Sequence, residues 1–201
     1  MLDTNARKYI QPGIEKIANL FLKWKFSANQ VTVLGFIIGL TGGLCSFFAA
    51  YFQLYFFAIA GIALLWISGF VDAVDGTMAR LTKTTSPWGT LMDIVFDRVV
   101  EMSIIISLAL NYQNSRIYFL FLLCAILFSM CVFLTVGALT KNNAKKSFRY
   151  QAGLMERCEG FICFSLMMLF PGALNIIIVL TTLLIAFTAT QRMIEAKKLM
   201  D

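Results

Sequence analysis

DAVDGTMARLTKTTSPWGTLMDIVFD, residues 72–97, is the stretch around which the rest of this chain is arranged. Asp72, Asp75, Gly76, Ala79 and Arg80 follow one another at i, i+3, i+4, i+7 and i+8, the spacing of one face of an α-helix. Gly89, Asp93 and Asp97 are spaced in fours and give a second helix a similar face. Between the two, Ser86 is placed to cap and Pro87 to take the first helical position. The stretch therefore reads as a helical hairpin. A tight antiparallel turn sets Asp72 opposite Asp97, Gly76 opposite Asp93 and Arg80 opposite Gly89, so four carboxylates meet between apolar flanks. Unpaired carboxylates in a low-dielectric place repel one another and are costly to ionise. A divalent cation, or a pair, is the simplest compensation, and an oxygen-only donor set points to Mg²⁺ or Mn²⁺.

Of 201 residues 59% are hydrophobic and 14% charged, and the mean hydropathy is +0.78, which marks a polytopic membrane protein. There is room for about six spans of roughly 20 residues each. Their expected positions are 29–50, 55–80, 87–111, 116–140, 154–170 and 172–193, with Pro171 and Gly172 separating the last two. Ser27 and Gln30 form a capping box for the first span, and glycines at 35, 39, 42 and 43 suit close helix packing within it. Ahead of it, Ile14, Ile17, Ala18, Leu20, Phe21 and Trp24 alternate with Lys16, Lys23 and Lys25, which predicts an amphipathic surface helix after Pro12. The expected architecture is all-α: an amphipathic juxtamembrane segment over 1–28, then a six-helix membrane domain over 29–201. The N-terminus lacks the apolar run of a cleavable signal peptide, so the first span is expected to serve as its own insertion signal.

The net charge of +6 is dispersed among and beside the apolar spans, which favours a membrane-surface and topology role over nucleic acid. Lys and Arg gather at the N-terminus, in the 80–86 turn, in the 141–151 loop and at the C-terminus, whereas the alternate loops contain only Arg116. The positive-inside rule then puts both termini and the motif turn in the cytoplasm. There is no histidine, so a general base has to be a carboxylate, thiolate, lysine or tyrosine. Cys45, Cys124, Cys131, Cys158 and Cys163 lack the close pairing of a zinc or redox site and read as packing residues.

The pattern D-x2-D-G-x2-A-R-x8-G-x3-D-x3-D, present as Asp72, Asp75, Gly76, Ala79, Arg80, Gly89, Asp93 and Asp97, resembles the signature of the CDP-alcohol phosphotransferases at every position. That family is built on six membrane helices and uses a divalent metal. The resemblance implies transfer of a phosphatidyl group from a CDP-linked lipid, CDP-diacylglycerol above all, to an alcohol with release of CMP, in phospholipid biosynthesis. It implies that Asp72, Asp75 and Asp93 bind metal and that Asp97 is the general base and a further ligand. Gly76 would let the nucleotide lie against its helix, Arg80 would reach a phosphate, and Ala79 and Gly89 would permit close packing and nucleotide access. Asn29 and Thr32, in a family-like N-x-x-T start to the first span, would help hold the cytidine, with Ser86 a further contact.

For the acceptor, Lys141, Lys145, Lys146, Arg149, Arg157 and Arg192 are the basic candidates, and Lys141, Arg149, Arg157 and Arg192 are carried as its binding residues. Topology setting and lipid-headgroup contact are equally good uses for each of them. Glu156 and Glu159 either steady Arg157 or attract an amine. Glu101, one turn beyond Asp97, reads as a structural partner for Arg98 or a neighbouring helix. A competing class is an ion- or proton-coupled transporter, since intramembrane carboxylates mark ion pathways. Against it, the acids cluster in one hairpin and no second half repeats them. The family is often a homodimer, and the apolar faces of the third and fourth spans offer an interface.

Overall fold

Two serines start the helices that matter most. The Ser27 hydroxyl accepts the Gln30 N–H at 3.3 Å while Gln30 Oε1 accepts the Ser27 N–H at 2.9 Å, the reciprocal cap expected there. At Ser86 the hydroxyl accepts the Gly89 N–H at 3.0 Å and Pro87 takes the first helical position. The computed structural model describes residues 2–140 and 154–200, with side chains over 10–139 and 154–197. Its helices are α1 (Leu2–Lys23), α2 (Ala28–Phe52), α3 (Tyr55–Leu81), α4 (Pro87–Asn111), α5 (Arg116–Thr140), α6 (Arg157–Leu169) and α7 (Leu174–Met200). Short 3-10 turns precede α5 and α7, and the described residues contain no strand.

Four of these elements are long and apolar enough to cross a membrane: α2, α3, α5 with its preceding turn, and α7 with its preceding turn. The 25 residues of α4 equal α2 in length, but Asp93, Asp97, Arg98 and Glu101 fall within it. Over the described residues the expected fifth span is only the 13-residue α6, about 20 Å long against a hydrocarbon core of about 30 Å. One correction concerns α1, which does not begin after Pro12 but runs through it. Proline removes one backbone donor, and the helix continues on both sides of it.

Among the described residues, 4–113 form one compact unit, and those from 114 onward, with 2–3, form the other. In the first unit α2 packs along both α3 and α4, while α3 and α4 approach each other little. The expected tight hairpin is thus an open pair wedged by α2. Glycines make the wedge possible, because a Cβ on Gly39 would fall 2.5 Å from Val100 and 2.8 Å from Ser68 Oγ. One on Gly43 would run into Ser103. Two hydroxyls tie the three helices together: Ser68 Oγ donates to the Gly35 carbonyl at 2.8 Å, and Ser107 Oγ donates to the Gly43 carbonyl at 2.8 Å. Ile14 and Ala18 of α1 are buried with Val31, Val71, Val74 and Met78, so part of its apolar face is spent on the protein's own motif end.

In the second unit α7 packs against α5 and α6, and the Met155 N–H donates to Thr188 Oγ1 at 3.0 Å just ahead of α6. Large apolar side chains face outward on many helices, among them Ile59, Phe121, Leu127, Ile176 and Leu183, as lipid-facing surfaces require. Cys124 and Cys131 are exposed, so they do not pack within this chain as expected, whereas Cys45, Cys158 and Cys163 are half-buried.

Candidate active site

The carboxylates of α3 and α4 do converge. Asp72, Asp75 and Asp93 each bring an oxygen within 4.8 Å of the other two. Asp75 is buried, and Asp72, Asp93 and Asp97 are half-buried. Asp93 comes within hydrogen-bonding reach of Asp72, and Asp97 stands close enough to act on Asp93 through its charge. Two carboxyl groups at that separation need a proton or a cation between them. A trio of anionic oxygens with no nitrogen or sulfur donor fits a hard divalent cation of the Mg²⁺ or Mn²⁺ type. Beyond Asp97, Arg98 Nη1 meets Glu101 Oε2 at 2.5 Å, the structural pairing expected of Glu101.

One helical turn beyond Asp72 on α3, Gly76 leaves its flank open. Arg80 Nη1 lies 3.4 Å from where a Gly76 Cβ would be, so the guanidinium runs back along the helix over that glycine. Arg80 Nη2 donates to Thr77 Oγ1 at 2.8 Å. Nothing in the sequence singled out Thr77; the available signal was a hydroxyl one turn ahead of an arginine. Ala79 is half-buried on the same helix. At the start of α4, Ser86 Oγ and Asn29 Oδ1 lie 3.3 and 3.4 Å from the position of a Gly89 Cβ, so Asn29, Ser86 and Gly89 come together. Thr32 sits a turn along α2 from Asn29, half-buried, with its hydroxyl donating to the Ala28 carbonyl at 3.1 Å.

Of the acceptor candidates, Lys141, Lys145, Lys146 and Arg149 lie outside the described residues. Arg192 is buried to 8% exposure, its guanidinium 5.8 Å from the Phe133 ring centre and its Nε without a hydrogen-bond partner. Arg157 is half-buried over the Phe161 ring at 5.4 Å. Glu156 is buried and Glu159 half-buried in the same short segment. A buried guanidinium carries several N–H donors in a fixed fork and is costly to leave without an anionic or polar partner.

The model of the family described as CDP-alcohol phosphatidyltransferase matches residues 25–192, from the turn before α2 to the last turns of α7. The chain belongs to this family. It is therefore a transferase of phospholipid biosynthesis, passing a substituted phosphoryl group from a CDP-linked alcohol to a second alcohol with release of CMP. Among relatives of this phosphatidyltransferase, an archaetidylinositol phosphate synthase of Pyrococcus horikoshii is 31% identical over 202 aligned positions, covering 98% of each chain. The fold is that of the phosphatidylinositol phosphate synthase of Mycobacterium tuberculosis. Its crystal structure with CDP-DAG bound superposes with a TM-score of 0.70 at 22% identity, over 91% of this chain and 92% of that one. A second crystal structure of that enzyme, in complex with manganese and citrate, gives a TM-score of 0.69 over 91% of this chain and 88% of that one.

Proposed function

We propose that this phosphatidyltransferase uses a CDP-linked glycerolipid of the CDP-diacylglycerol type as donor and a phosphorylated inositol as acceptor. The observation that carries the reading is the trio of Asp72, Asp75 and Asp93 oxygens within 4.8 Å, with Asp97 beside it. The donor type is supported by the lipid in the M. tuberculosis crystal structure, and the acceptor by the name of the P. horikoshii relative together with the buried Arg192. An acceptor phosphate gives Arg192 and Arg157 a dianion to bind, and Lys141 and Arg149 join them in this reading.

Asp72, Asp75 and Asp93 hold Mg²⁺ or Mn²⁺, and Asp97 serves as base and further ligand. When bound, the metal neutralises the pyrophosphate and the charge that develops on departing CMP. Arg80 donates to a donor phosphate, and the open flank at Gly76 receives the nucleotide. Asn29, Thr32, Ser86 and Gly89, with Ala79 as a small packing position, border the cytidine. Asp97 takes the proton of the acceptor hydroxyl as its oxygen attacks the lipid-bearing β-phosphorus. The bond from that phosphorus to the bridging oxygen breaks, CMP leaves with the electron pair, and Asp97 returns its proton to water.

In the same reading the chain crosses the bilayer six times over 29–201, α4 and the segment around α6 included, with both termini and the motif turn cytoplasmic. The segment 1–28 lies at the membrane surface, where exposed Ile10, Leu20 and Trp24 stand beside exposed Lys16, Lys23 and Lys25. A homodimer through the apolar faces of the third and fourth spans completes it.

The test is CMP release by the purified chain in nanodiscs, given CDP-diacylglycerol, Mn²⁺ or Mg²⁺, and inositol phosphate, glycerol phosphate or serine. Release is expected with inositol phosphate, and Asp97→Asn should lower it at least about a hundredfold while CDP still binds. Release with another acceptor overturns the acceptor. Retained turnover in Asp97→Asn removes that residue from the role of base. Absence of any nucleotide binding would return the aspartates to an ion-coupled transporter.

A further inference from the structure

We infer that Thr77 is a positioning residue for the donor's phosphates, acting by anchoring the Arg80 guanidinium across the open flank of Gly76. The inference rests on the reading of Arg80 as a phosphate contact. It starts from proton accounting at one hydroxyl. Thr77 Oγ1 donates its single proton to the Ala73 carbonyl at 2.9 Å. Toward Arg80 the same oxygen has only lone pairs to offer, and a guanidinium has only donors, so the 2.8 Å contact from Nη2 has one possible polarity. No rotation of the hydroxyl can reverse it without giving up the carbonyl.

The anchor itself has little freedom. Thr77 is 3% exposed, its β-branched side chain is restricted in χ1 on a helix, and its bond to the carbonyl four residues back selects the rotamer. Arg80, in contrast, is long and exposed at the end of α3. Tying Nη2 to Thr77 while Nη1 rests beside Gly76 orders the guanidinium before any ligand arrives. An anion then binds without having to order the arginine, which is how preorganisation raises affinity. Thr77 thus holds the guanidinium beside the open flank of Gly76.

The effect is readable as binding of CDP, in the presence of Mn²⁺, to the full chain in nanodiscs by calorimetry. Arg80→Ala is expected to weaken CDP at least tenfold. Thr77→Val, which keeps the shape and removes the acceptor, should weaken it three- to tenfold with an unchanged melting temperature, and Thr77→Ser should restore it to within twofold. Adding Thr77→Val to Arg80→Ala should cost nothing more, because the anchored group is gone. Wild-type affinity in Thr77→Val beside a weakened Arg80→Ala overturns the anchoring and leaves the phosphate contact standing. Wild-type affinity in Arg80→Ala removes the contact and the anchoring together. A Thr77→Ser variant as weak as Thr77→Val, or additive losses in the double variant, also overturns the anchoring, since the hydroxyl would then not act through Arg80.

Discussion

Two groups of glycines in the first unit do opposite things. Along α2, Gly39 and Gly43 have no space for a side chain: a Cβ on either would strike Val100 or Ser103 of α4. Gly42 meets Gly61 of α3 in the same manner, each missing Cβ 3.1 Å from the other's carbonyl. At the motif, Gly76 and Gly89 have neighbours only at 3.3 Å or beyond, and these are the tips of Arg80, Ser86 and Asn29. The first group is occupied by the protein's own helices. The second is bordered by polar groups with hydrogen bonds to give. Glycine in one case brings helices together, and in the other leaves a helix flank open, where the proposed function seats the nucleotide.

The sharpest challenge to this contrast is Gly43→Val. Overpacking a closed contact costs about 1–3 kcal/mol, and here it also pushes α2 off α4 and away from the Ser107 hydrogen bond to the Gly43 carbonyl. A melting temperature several degrees lower in detergent, with lost activity in proportion, is the expected outcome. An unchanged melting temperature would show that α2 does not set the separation of α3 and α4.

Gly76→Ala should do the reverse. Its Cβ would meet Arg80 Nη1 at 3.4 Å, an ordinary contact, and alanine in a helix is favoured over glycine by about 1 kcal/mol. Thermal stability should hold or rise, while kcat/KM for the CDP-lipid falls about tenfold because the methyl group fills the nucleotide's space. Equal activity in Gly76→Ala would place Gly76 with the packing glycines and dissolve the distinction.

How much of this was readable beforehand divides along the same line. The caps at Ser27 and Ser86 were legible because each is made within four residues of chain. The convergence of Asp72, Asp75 and Asp93 was legible from helical spacing. The separation of its two helices was not: the spacing suggests a tight hairpin, yet α2 packs along both α3 and α4, which approach each other little, and Asp72 reaches Asp93 across the gap. That wedge depends on contacts such as Gly39 with Val100, 61 positions apart in the chain. No local periodicity encodes it. Thr77 was invisible for another reason, since its role exists only once the Arg80 side chain has turned back along the helix. On the acceptor side, Arg157 and Arg192 follow no spacing rule, and only the burial of Arg192 distinguishes it from a topology-setting charge.

The smallest expected effect concerns a place where glycine is missing. Lys83, in the turn between the two motif helices, has φ 54°, left-handed backbone that favours glycine. The turn closes as a helix end of the glycine type, with the Thr84 N–H reaching back to the Ala79 carbonyl at 3.0 Å and the Lys83 N–H to that of Arg80 at 3.3 Å. Relief of the Cβ clash should make Lys83→Gly more stable by up to about 1 kcal/mol, less the entropy that glycine adds to the unfolded chain. The melting temperature should therefore rise by a few degrees at most. If lysine is kept there for its charge, Lys83→Gly should also lose binding to vesicles of anionic lipid or insert with mixed orientation, and Lys83→Asn should share both the gain and the loss. A gain in stability with orientation and lipid binding untouched would mean that the charge at this turn does no work, and the contrast among the glycines would then rest on sterics alone.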